Sequence, residues 1–154
     1  MKPHRGFTLL IAVILASVSL SIGLALLDIA YKQVILASAA RQSQVAFYAA
    51  DTAMECALYN DQIGNAFAYS IPTGTNNITC NGHAIPVTFT SPSSGTRTRT
   101  FFVPCSPPAG ATTELARVTI YKESNAATGI YVEGYNVCAS SDTRRIERGL
   151  KVTY

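Results

Sequence analysis

The chain has 154 residues, 48% of them hydrophobic, and a formal net charge of +3. Two of its 12 basic residues, Lys2 and Arg5, precede the first apolar run, and the rest nearly balance the 9 acidic ones. Near-neutral balance excludes a bulk-charge argument for nucleic acid, and the length left after the helical region suits one small domain and excludes a second.

Phe7 to Leu27, FTLLIAVILASVSLSIGLALL, carries no charge. As a helix it is about 31 Å long, matching a bilayer core of about 30 Å. Its polar residues, Thr8, Ser17, Ser19 and Ser21, are small, and a helical hydroxyl can return its proton to a backbone carbonyl. Lys2 and Arg5 on its N-terminal flank place the N-terminus in the cytoplasm and the C-terminus outside. A secretory signal would have a shorter apolar region followed by a small-x-small cleavage site. Here Ala16 and Ser17 fall inside the run, and Asp28 to Tyr59 contains neither Gly nor Pro. One helix is therefore expected from Phe7 to Tyr59, apolar all round over 7–27 and amphipathic over 28–59. Phe47, Ala50, Met54, Ala57 and Leu58 recur at steps of three and four and form the expected core-facing stripe. Arg41, Gln42, Gln44, Asp51 and Glu55 fall away from it, with Asp51 and Glu55 a like-charge i,i+4 pair.

Arg5-Gly6-Phe7-Thr8-Leu9, opening such a helix, resembles the processing site of type IV pilin-like proteins. The likeness covers roughly residues 1 to 35. Ala46 to Leu58, AFYAADTAMECAL, is similar to the helix of minor pilins of the PilX kind, and RRIERGLKVTY resembles a final pilin strand. The resemblance implies that residues 1–6 are a leader, cut between Gly6 and Phe7 by a prepilin peptidase. Phe7 then becomes an N-methylated mature N-terminus. It also implies other pilin subunits and an assembly platform as partners, membrane lipid before assembly, and a pilus or pseudopilus afterwards. The implied fold is pilin-like α+β, a long N-terminal helix packed on a small antiparallel sheet. Two positions depart from the family pattern. Ile11 stands where the family has a Glu that pairs with a neighbour's N-terminal ammonium, and Asp28 stands where many pilins have a Pro. Ile11 cannot supply that pairing, which shifts the implied role from a major pilin to a minor, tip-located or initiating subunit.

Beyond the helix, residues 60–154 are expected to form the globular domain. Asn60 to Gly82 is rich in breakers (Asp61, Gly64, Pro72, Gly74, Asn76, Asn77, Asn81) and is expected to be a loop, with Phe67-Ala68-Tyr69 a short element within it. Asn77-Ile78-Thr79 fits the N-glycosylation acceptor pattern, which arises often by chance. Five strands are expected next: Ala84 to Thr90, where Pro86 marks either an edge strand or a strand that begins after it; Thr96 to Val103; Leu115 to Lys122; Gly129 to Val137; and Ile146 to Tyr154. The first two, joined through Ser91 to Gly95, read as a hairpin, and Pro104 to Thr113 reads as a second loop. In the last strand Ile146, Leu150, Val152 and Tyr154 share one face, which puts a helix on one side of the sheet and water on the other.

Cys56, Cys80, Cys105 and Cys138 all follow the apolar run, and an even number in a small exported domain favours two disulfides. Of three connectivities, Cys56–Cys80 and Cys105–Cys138 are favoured, tying helix to loop and strand to strand. No Cys-x-x-Cys pair, phosphate loop or triad is present, and His83 sits in a turn sequence. No enzyme activity, cofactor or metal is expected. Arg97 and Arg99 project from one side of a strand, and Arg144, Arg145, Arg148 and Lys151 cluster near the C-terminus, with Glu147 inside the cluster to blunt it; the five arginines are the candidate contacts. These five could contact a partner or DNA at a fibre tip, but a solvated or edge-protecting charge pattern is the favoured explanation. Three roles are therefore weighed: a structural pilin or pseudopilin subunit, a single-pass anchored binding domain that never polymerises, and a tip adhesin or DNA-binding pilin.

Overall fold

The computed structural model describes residues 5–71, 76–80, 82–90, 95–105, 114–124 and 127–154. Leader residues 1–4, Pro72, Gly74, Asn81 and most of the two expected loops (91–94 and 106–113) lie outside the described residues. Helix α1 runs Arg5–Gln62. Six strands follow: β1 Asn76–Cys80, β2 His83–Thr90, β3 Thr96–Pro104, β4 Glu114–Glu123, β5 Thr128–Tyr135 and β6 Glu147–Thr153. Each pairs antiparallel with the next, so the sheet order is the chain order. The architecture is α+β, as expected. The chain divides into two units between Ala40 and Arg41.

In the second unit the helix lies on one face of the sheet. Ala46, Ala49, Ala50, Ala53, Met54 and Ala57 are buried, and Ala50 to Ala57 share a core with Phe101, Val103, Val118, Ile120, Ile130 and Val132. The expected stripe holds at Ala50, Met54 and Ala57. It fails at Phe47, which is 45% exposed, and Leu58 is only partly buried. Ala46 and Ala50 occupy the line of closest approach, and Phe47 is turned about 100° from Ala46. Opposite them stands Gly134 of β5. A Cβ there would overlap the Ala46 carbonyl oxygen and the Ala50 nitrogen and sit 2.7 Å from Ala50 Cβ. Residues 46, 50 and 134 are small because two backbones meet there.

The helix continues one turn beyond Tyr59. The N–H groups of Ile63 and Gly64 both donate to the Tyr59 carbonyl, and Ala66 N–H donates to that of Asn60. Asn65 takes the left-handed conformation (φ 49°) that ends the helix, as Asn tolerates better than most residues. The span expected to be one loop also contains β1. Its alternation places Ile78 and Cys80 inside and Asn76, Asn77 and Thr79 outside. Three of five residues are polar and two are Asn, so composition hid a strand that period-2 burial defines. Gly82, at φ 77°, helps close the β1–β2 hairpin, in which Cys80 faces His83. Pro86 is not on an edge strand, because β1 lies outside β2. It faces Asn77 of β1, while β2 pairs with β3 from Thr88 onward. The missing proline N–H therefore falls where β2 has a ladder on one side only.

Cys56 is bonded to Cys80 and Cys105 to Cys138, with Cα atoms 5.8 and 6.0 Å apart. The first bond ties α1 to β1 and the second ties the end of β3 to the segment after β5. Each closes a loop worth about 3 to 4 kcal/mol on the chain-entropy account.

Replacing Gly134 by Ala forces helix and sheet apart. We expect a loss of about 3 kcal/mol, read as a lower urea midpoint of the disulfide-intact, detergent-solubilised protein. An unchanged midpoint would mean that the contact is slack.

Candidate functional site

In the first unit every residue from Phe7 to Ala40 is exposed. Phe7, Leu9, Leu15, Leu20 and Leu27 each leave more than half their surface open. α1 is long and apolar enough to cross a membrane, with a mean hydropathy of 2.6 in its most apolar window and none of that window buried. Its hydroxyls are satisfied locally. Ser17 donates to the Ile14 carbonyl (2.8 Å), Ser19 to that of Leu15 (2.9 Å) and Ser21 to that of Val18 (2.8 Å). The run thus presents hydrocarbon with few free polar groups, which is what lipid or a bundle of like helices requires. It ends at an ion pair, Asp28 with Lys32 at 2.7 Å. Gly6 and Phe7 both lie inside α1, and Ile11 is exposed on it.

The second unit holds a buried polar cluster that the sequence reading missed. Asp61, in the last turn of α1, accepts from Lys122 Nζ of β4 at 2.7 Å and from the Tyr154 hydroxyl at 2.5 Å. Its side chain is 2% exposed and that of Lys122 14%. Burial, then the bond to Asp61, pushes the Tyr154 hydroxyl well above its ordinary pKa. Arg99 is fully buried and donates to the carbonyls of Phe67 and Ala68. Burial lowers its pKa, the neighbouring Arg97 lowers it further, and Asp61 opposes both. Arg97 donates to the Ile71 carbonyl at 2.6 Å and lies 4.6 Å from the Tyr69 ring centroid. The expected one-sided projection of Arg97 and Arg99 holds, but the side is the core side. Arg99 has no surface to offer a partner. The pair clamps the turn after α1, whose Phe67 ring stacks on Phe101. The signal was present in Thr-Arg-Thr-Arg-Thr, where alternation puts both arginines in line with Phe101 and Val103.

Arg144, Arg145 and Arg148 are brought to one segment, Arg144 and Arg148 exposed and Arg145 half-buried, and each has a contact within the chain. Arg144 pairs with Asp142 at 3.4 Å, and its backbone and side-chain donors hold that carboxyl below the usual range. Arg145 lies 3.5 Å from the Tyr135 ring centroid, and Arg148 Nε donates to Ser43 Oγ at 2.7 Å. Asn136 folds the segment back by accepting from Ile146 N–H and donating to the Arg144 carbonyl. Asp51 and Glu55 are exposed and make no ion pair among the described residues, and Asn77 is exposed on β1. Among the described residues no three His, Cys, Asp or Glu side chains are grouped to hold a metal.

No protein-family model, curated protein or solved structure matches this chain. Its long apolar helix and antiparallel sheet are compatible with the pilin-like fold.

Two outcomes test the cluster and its surroundings. Lys122→Met leaves the Asp61 carboxylate buried without its cation and should cost about 3 kcal/mol in denaturant unfolding. The Tyr135 hydroxyl, which donates to Glu133, is pushed up from 10.0 to about 12, chiefly by burial and then by that bond. The folded state therefore keeps this proton after the unfolded chain has lost it. The stability it contributes is complete below the unfolded value near 10 and is lost as pH rises through about 12. Tyr135→Phe should flatten the fall in unfolding free energy over that interval, and a slope identical to the parent's would refute the assignment.

Proposed function

We propose that this chain is a structural subunit of a type IV pilus or pseudopilus, in a minor, tip or initiating position. The observation that carries the reading is the uncharged helical run from Phe7 to Leu27, exposed at every residue and entered directly from Arg5-Gly6. The membrane holds that run until an assembly platform extracts it into a bundle of like helices. Both surroundings are apolar, so little free energy separates them and a motor can drive the subunit in either direction. A prepilin peptidase cuts after Gly6, Phe7 is methylated, and the second unit stays outside the cytoplasmic membrane. The two disulfides support this placement, since cystines persist in oxidising compartments. Ile11 supports the minor position, because no carboxylate there pairs with a neighbour's N-terminal ammonium. It also favours the second reading, a single-pass anchored domain that never polymerises.

The test is the intact mass of protein from the membrane fraction. A chain beginning at methylated Phe7 is expected, and Gly6→Leu should leave the leader attached. A wild-type chain that keeps residues 1 to 6 would sink the prepilin reading and leave the anchored domain.

A further inference from the structure

The face of the sheet turned away from α1 has a low floor beside an aromatic wall. In register across β4, β5 and β6, Tyr121 faces Gly129 and Gly129 faces Thr153. Gly129 carries no side chain, so Tyr121 on one strand and Thr153 on the next stand beside a gap. Tyr154 lines the far end, where its backbone pairs with that of Thr128, and its hydroxyl is turned to Asp61 on the α1 side. Together they border an open cavity of about 520 Å³, within the size range of small-molecule sites. Tyr121 and Tyr154 are 43% and 48% exposed. Beside the cavity the Tyr131 ring reaches over β6 and lies against Gly149. Two ionic groups stand at the rim, the Glu123 carboxylate and the Lys151 ammonium. Neither has a side-chain partner among the described residues, whereas Arg117, Lys122 and Glu133 nearby are all paired.

We propose that this cavity is a carbohydrate-binding site that takes a neutral pyranose unit of a glycan against the Tyr121 ring. A pyranose with equatorial substituents has an apolar C–H face and a ring of hydroxyls at its edge. The C–H face suits an aromatic wall, where the electron-rich π surface meets polarised hydrogens. The edge needs both donors and acceptors, and the rim supplies them. Lys151 has three donors, Glu123 is an acceptor that can take two adjacent hydroxyls, and Thr153 is either. An acidic sugar gains from Lys151 but is repelled by Glu123, and a cationic one meets the reverse, so the mixed rim favours a neutral ring. The site belongs to the second unit and holds whether or not the chain is processed and assembled.

Cellohexaose and chitohexaose, titrated into the full chain in a non-glycosidic detergent and followed by NMR of the tyrosine rings, test this directly. Saturable shifts are expected at concentrations up to about 10 mM. Tyr121→Leu keeps apolar bulk but removes the flat face, and should weaken binding about tenfold. Lys151→Met should weaken it comparably. Tyr48→Leu, which alters an exposed helical tyrosine elsewhere in the unit, should leave it unchanged. Near-UV circular dichroism of each variant reports that the fold is intact. No saturable response to either hexasaccharide, a response unaffected by Tyr121→Leu, or a response to free zwitterionic amino acids in place of the sugars would each overturn the proposal.

Discussion

The contact between Gly134 and the backbone of α1 at Ala46 and Ala50 sets the geometry of the second unit. A helix usually packs on a sheet through interlocking side chains, about 10 Å away. Here the helix supplies alanines and β5 supplies a glycine, so main chain approaches main chain. The gain is dispersion from many close atom pairs with no rotamer entropy lost, since Ala and Gly have none to lose. The larger residues sit to either side: Met54 on the helix, and Phe101, Ile120 and Ile130 on the sheet. That division explains why the helix can be rich in alanine and still be firmly placed. Its second half contributes proximity, and the sheet contributes most of the apolar volume.

Placing the helix so close leaves a polar problem at its end. Its last carbonyls and the turn that follows lie against the sheet, and buried carbonyls need donors. β3 supplies them through Arg97 and Arg99, whose planar guanidinium groups satisfy three carbonyls of one turn. The resulting excess of buried positive charge is offset by Asp61, which is itself held by Lys122 and Tyr154. The Cys56–Cys80 bond adds a covalent tie from the same helix end to β1. The inner-face arginines are thus consumed in fastening the helix, which is why they form no surface strip.

Much of this was legible in the chain. The uncharged run, the absence of helix breakers to Tyr59 and the period-2 strands depend on local pattern, and local pattern is what a sequence displays. What was missed depends on distance in space. β1 was hidden because its neighbours decide which of its residues are buried. Phe47 was placed inwards because its spacing fits the core stripe, whereas the line of closest approach admits only alanine. Asp61 carried the marks of a turn residue, and only its partners 61 and 93 positions away show it to be the acceptor of the core. Arg99 is a middle case. Alternation with Phe101 was visible, but the prior that arginine faces water outweighed it.

The two faces of the sheet treat charge in opposite ways, and the contrast gives the outer cavity its meaning. On the inner side Arg97 and Arg99 are spent on main-chain carbonyls, and Lys122 on Asp61. On the outer side Arg117 is bound between Glu114 and Glu133 beside Phe102. Lys151 and Glu123 stand outside this economy. They flank a glycine floor beside the Tyr121 ring, where a purely structural strand would more simply carry a β-branched residue at Gly129. A glycine in a strand interior weakens the sheet, and it is tolerated where something must approach the backbone. At Gly134 that visitor is the chain's own helix. At Gly129 no element of the described chain fills the space, and the groups around it have the donors, the acceptors and the flat apolar wall that a sugar ring would use.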